Sequence, residues 1–172
     1  SYDTPGDANG VYVLGKFAYV ADDTSMQIID VSNPSLPVFI SSSTTGGLWG
    51  SAQKVFVSGS KAYIALANGG FQIYDVSNPA VPVFLGIYWH AMGVWITSVV
   101  VYGSIAFATD MTMGLSVVDV SNPGLPVLKG SYKLTDIYDV TVVGQYAYVA
   151  DGTGGLKILD ISQPFKFELA PL

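Results

Sequence analysis

The chain has 172 residues, half of them hydrophobic, no cysteine and a formal net charge of −6. That length suits one domain or one array of small repeats, and the missing cysteine excludes disulfides and thiolate metal sites. Seven Lys, no Arg, twelve Asp and a single Glu leave no basic run for nucleic acid or an anionic membrane. Asp, Gly, Asn and Pro belong to turns rather than to long helices, so the composition predicts many short strands. Val76 to Thr109 carries no charged side chain, but Pro79, Pro82, Gly86, Gly93 and Gly103 interrupt it well short of the ~20 apolar residues of a membrane helix. The chain opens at Ser1-Tyr2-Asp3, without an initiator Met or signal peptide, as expected of a processed or excised piece.

Gly15, Gly59, Gly103 and Gly144 stand 44, 44 and 41 residues apart. Before each lies an apolar or alternating run, strand A: Val11–Val13, Val55–Val57, Val99–Val101 and Val140–Val142. Each glycine and its successor form a two-residue hairpin, and Gly in the first place predicts a type II′ turn. Strand B follows as Ala18–Ala21, Ala62–Ala65, Ala106–Ala108 and Ala147–Ala150. After a polar or Gly-rich loop comes strand C, a pentad ending in aspartate: Met26–Asp30, Phe71–Asp75, Leu115–Asp119 and Leu156–Asp160. Three of these run on into Ser-Asn-Pro-x-x-Pro-Val, a turn in which proline fixes φ and Ser and Asn bond the local backbone. Strand D is Val38–Ile40, Val83–Leu85, Val127–Lys129 and, more weakly, Phe165–Phe167.

Four strands in about 44 residues, repeated, predict an all-β fold: a β-propeller of four four-stranded blades, standing alone or as part of a larger one. Strands B and C are apolar on both faces, as blades stacked face to face require. Ile158 and Val149 are therefore expected to be almost fully buried. The repeats are placed at about 7–45, 51–89, 95–133 and 136–172 of a single domain. Residues 1–6 read as the tail of a preceding strand, because Ser1-Tyr2 matches Ser131-Tyr132 at the end of a strand D.

The pentads, with Ala-Tyr-Val-Ala-Asp before the loop and Asp-Val-Ser-Asn-Pro after, resemble the LVIVD-repeat family over residues 11 to 163. That resemblance implies a propeller-type repeat protein, secreted or attached to a bacterial or archaeal cell surface. Two departures stand out. Leu66 replaces the aspartate found at Asp22, Asp110 and Asp151, and the first B–C loop is one residue shorter, with no Gly before Met26.

Asp30, Asp75, Asp119 and Asp160 end strand C in every repeat, which fits turn formation better than catalysis. Asp22, Asp110 and Asp151 open the B–C loops and offer oxygen to Ca²⁺, but without an Asp-x-Asp-x-Asp-Gly pattern their reading as turn residues outweighs the metal one. No other cofactor is suggested. His90 is the only histidine, and no nucleophile elbow or phosphate loop is present, so the chain is expected not to be an enzyme. The D–A connections hold aromatic residues: Trp49, then Trp89, His90 and Trp95, then Tyr138 beside Asp139. These are the candidate ligand-binding set, converging on one face near the axis; their alternative role is to plug the channel or pack between blades. The expected function is a non-enzymatic extracellular or cell-surface interaction module. The alternatives are a carbohydrate-binding or carbohydrate-acting site on this face, and a structural segment of a larger surface protein or filament. The partners expected are a protein, a glycan, or further copies through open blade faces.

Overall fold

A computed structural model of the chain describes residues 1–45, 50–89, 95–111, 113–134, 136–162 and 168–169. The first sheet is β1 (Ala8–Leu14), β2 (Phe17–Asp22), β3 (Ser25–Asp30) and β4 (Val38–Thr44). The second is β5 (Ala52–Ser58), β6 (Lys61–Leu66), β7 (Gly70–Asp75) and β8 (Val83–Tyr88), and the third is β9 (Ile96–Tyr102), β10 (Ile105–Asp110), β11 (Gly114–Asp119) and β12 (Val127–Tyr132). The fourth is β13 (Ile137–Val143), β14 (Tyr146–Asp151), β15 (Gly155–Asp160) and β16 (Glu168–Leu169). Each sheet is an antiparallel meander in chain order. The expected strand D at Phe165–Phe167 lies outside the described residues, and pairing of Glu168 with Asp160 occupies that place.

The hairpin glycines adopt φ of 60°, 57°, 60° and 60°, and the residue after each has negative φ. A positive φ in the first place alone is the type II′ pattern, whose twist matches the flanking strands. The shorter first B–C loop is closed by Asp23, the one non-glycine residue with positive φ among those described.

β1 packs against β5, β5 against β9 and β9 against β13, so the first strands of the four blades are innermost. Three cores lie between the blades. Tyr19, Met26 and Ile28 of blade 1 meet Val55, Ile64 and Tyr74 of blade 2. Phe71 and Ile73 of blade 2 meet Val99, Ala106 and Val118 of blade 3. Phe107, Leu115 and Val117 of blade 3 meet Val140, Val149 and Leu159 of blade 4. Period-2 alternation supplies the two faces of each sheet. Among the described residues β13 does not pack on β1 in this way, so the ring of inner strands is open.

One expectation is corrected by that opening. Val149 is fully buried, but Ile158 is only half-buried. Ile158 faces away from blade 3, and nothing in the described chain takes the position that blade 2 takes for Ile28. Stacking therefore covers both faces of the inner blades and only one face of blade 4.

Candidate functional site

The D–A connections and B–C loops emerge at the same end of the blades, as the pairing of Ala8 with Asp22 and of Ser25 with Thr44 requires. At that end every inner strand departs from regular pairing, between Ala8 and Gly10, Ala52 and Lys54, Ile96 and Ser98, and Ile137 and Asp139. A bulge re-aims side chains. Here the displaced residues are Asn9, Gln53, Thr97 and Tyr138.

These residues stitch the inner rim together. The Asn9 side-chain amide donates to the Ala52 carbonyl at 3.0 Å, and the Thr97 hydroxyl donates to the Tyr138 carbonyl at 3.0 Å. Lys54 of β5 forms an ion pair with Asp139 of β13, reaching from blade 2 to blade 4 past β9. Burial acts to raise the Asp139 pKa, but Lys54 and the Ser98 hydroxyl outweigh it and hold the carboxyl below its ordinary value.

Trp95 immediately precedes β9 and is exposed; its carbonyl accepts the Met111 N–H at 3.2 Å. Tyr138 is also exposed, and its hydroxyl bonds to Asp136, which raises its pKa. Tyr138 and Asp139 lie inside β13 rather than in the connection before it; the bulge, not a loop, turns Tyr138 outward. Trp89 is exposed at the end of β8. Trp49 and His90 lie outside the described residues. Trp95, Thr97, Tyr138, Asp139 and Lys54 thus form one rim, and of these Trp95, Tyr138 and Asp139 were expected from their place in the repeat. Lys54 and Thr97 were missed, since each stands in an ordinary strand A pattern and gains its place only from the stacking of blades.

Asp22, Asp110 and Asp151 sit singly, one per blade, all buried. Asp22 accepts the Gly6 N–H at 3.1 Å, Asp151 accepts that of Asp136 at 3.3 Å, and Asp110 accepts that of Met113 at 3.0 Å. Two of them therefore tie the end of strand B to the chain entering strand A. Among the described residues no group of three or more acidic or histidine side chains is placed to hold a metal.

The aspartates ending strand C lie at the opposite end. Asp30, Asp75, Asp119 and Asp160 each accept the N–H of the serine two residues on, at 2.8 to 3.0 Å. Bonding to Ser32 and then to Lys16 holds Asp30 at about 2, and Ser121 and Lys129 do the same for Asp119. Asp75 and Asp160 are lowered chiefly by Ser77 and Ser162.

Four-stranded meanders set face to face, with their first strands about a common axis, define a propeller-type repeat protein. The chain belongs to the LVIVD-repeat family, whose model matches residues 5–45, 49–89, 93–134 and 136–170. No curated protein matches it significantly. Among solved structures it is similar to the periplasmic gluconolactonase PpgL of Pseudomonas aeruginosa, with a TM-score of 0.80, 13% identity, and coverage of 96% of this chain and 53% of that one. A functionally unknown protein from Desulfotomaculum acetoxidans gives a TM-score of 0.79 at 13% identity, covering 99% of this chain and 57% of that one. The computationally designed Ika4 protein gives 0.70 at 7% identity, covering 92% and 93%. The chain thus spans about half the length of the two natural proteins, and at these identities the likeness concerns the fold alone.

Proposed function

We propose that the chain is a non-enzymatic interaction module of an extracellular or cell-surface protein, and that it binds its partner on the rim of the D–A face. The observation that carries this reading is the pair of exposed rings, Trp95 just before β9 and Tyr138 in the neighbouring β13, on the rim that holds the Lys54–Asp139 ion pair. Large rings held by a rigid sheet and left in water are the usual anchors of a binding surface. Family membership is what supports the surface location in this reading.

A second reading, a glycan ligand, is favoured by the exposed Tyr138, whose pKa Asp136 raises, on the same rim as the exposed Trp95. An aromatic face and an oriented carboxylate together suit a sugar ring. The similarity to a gluconolactonase adds nothing to it, because 13% identity carries no residue of a site across.

Calorimetric titration against a glycan panel and against candidate surface proteins, with and without Ca²⁺, tests both readings. Trp95→Ala is expected to weaken binding at least tenfold, with stability changed by no more than about 0.5 kcal/mol, as for other exposed substitutions. A large fall in the thermal midpoint with no ligand found would assign Trp95 to packing and end this proposal.

A further inference from the structure

We infer that the two outermost blade faces are halves of one interface, and that two copies of the chain join blade 4 to blade 1 around a shared axis. The observation concerns repeat positions and does not involve the aromatic rim. Leu156 of blade 4 is 65% exposed, whereas its equivalents Met26, Phe71 and Leu115 are fully buried against the following blade. On blade 1, Val11 and Val13 are 63% and 57% exposed, whereas Val55 and Val57 in the same places of blade 2 are both 2% exposed. The residues left in water at either end are thus the ones that every internal junction covers.

The internal junctions also say what covers them. The face bearing Met26 and Ile28 receives the next blade's Val55, Val57 and Ile64. The face bearing Leu156 and Ile158 sets apolar side chains at the register of Met26 and Ile28, and blade 1 presents Val11 and Val13 where blade 2 presents Val55 and Val57, next to Val20, which is already buried with Ala18 and Ile29. A groove of ≈ 200 Å³ between Thr141, Tyr148 and Leu156 marks the unfilled side. Exposed apolar surface of this kind seeks a partner, and the repeat supplies one of matching shape in a second copy.

Closure favours a pair. The sector overlays about half of PpgL at a TM-score of 0.80. Two sectors of four blades make eight, within the ~4–8 blades of known propellers. Each copy gives its blade 4 to the other's blade 1, so a two-fold axis closes the ring and leaves no free face.

Sedimentation of the chain over a wide concentration range tests this. The expected result is a reversible species of twice the 18.2 kDa chain. Leu156→Lys and Val13→Lys, both at exposed positions, should each weaken association at least tenfold while circular dichroism and the thermal midpoint of the monomer stay near those of the parent. Leu156→Ser should act in the same direction if the lysine proves disruptive. Mixing the two lysine variants should restore a dimer, since the mixed pair keeps one intact junction. A chain that stays monomeric at every concentration overturns the inference. So does a dimer broken by Leu156→Lys and untouched by Val13→Lys, which would place blade 4 against blade 4.

Discussion

Asp119 accepts the Ser121 N–H at 3.0 Å and pairs with Lys129 at 3.2 Å. Its folded-state pKa of about 2, like that of Asp30, lies below the ordinary 3.8. A depressed value means the charged form is favoured by folding, so the contribution is complete above the unfolded value and is lost as pH falls through about 2. Asp75 and Asp160 shift in the same direction. The thermal midpoint should therefore hold steady down to about pH 4 and fall between there and pH 2. Asp119→Asn should lower the midpoint at pH 6 and make the acid fall shallower, which a pH series of thermal melts would read. The turn role of these aspartates was readable from sequence because it is local: two residues separate acceptor from donor. The Lys54–Asp139 pair was not, because it joins residues 85 apart in the chain, and sequence spacing carries no trace of it. Both ends of that pair are well exposed, so Lys54→Ala should cost at most about 1 kcal/mol.

Among the elements, the hairpins and B–C loops show how differently two glycines are used. Gly144 has φ of 60° in open space, whereas Gly114 has φ of 87° and a Cβ there would lie 2.2 Å from the Tyr132 carbonyl oxygen. Gly144→Ala adds backbone strain alone, about 1–2 kcal/mol. Gly114→Ala adds a clash with main chain and should cost roughly 1–3 kcal/mol more. Urea unfolding of the two variants gives the comparison. The sequence marked Gly144 as a hairpin glycine but left Gly114 unremarked in a B–C loop, while the four-strand order of each blade was plain from alternation and punctuation. What it did not mark was the bulge in every strand A. A bulge leaves the alternation looking intact on either side of it, so Tyr138 reads as a loop residue until Ile137 is seen to pair with Asp151 and Asp139 with Ala150, leaving Tyr138 displaced between them.

At the scale of the whole molecule, the decisive quantity is how many faces of a blade are covered. Ile73 is fully buried between blades 2 and 3, and Ile73→Ala should cost about 2–5 kcal/mol. Ile158 occupies the same register position on the uncovered side of blade 4, so Ile158→Ala in the monomer should cost about 1–2 kcal/mol, the transfer of a side chain already partly in water. Measured at concentrations that favour dimer, the cost of Ile158→Ala should rise toward that of Ile73→Ala. Repetition made the blade count legible, but not the state of its ends, because identical pentads give identical expectations wherever they stand.

Every strand ladder in the described chain joins neighbours in sequence, and this governs how the molecule comes apart. Such an array has many short-range contacts and can open one unit at a time, as stacked repeats do. The unit with least support is blade 4, whose last face meets water where the inner blades are covered on both sides. Its amides are the natural exit for deuterium: those of β14 should exchange at a lower free energy of opening than those of β6, although both strands sit second in their sheets.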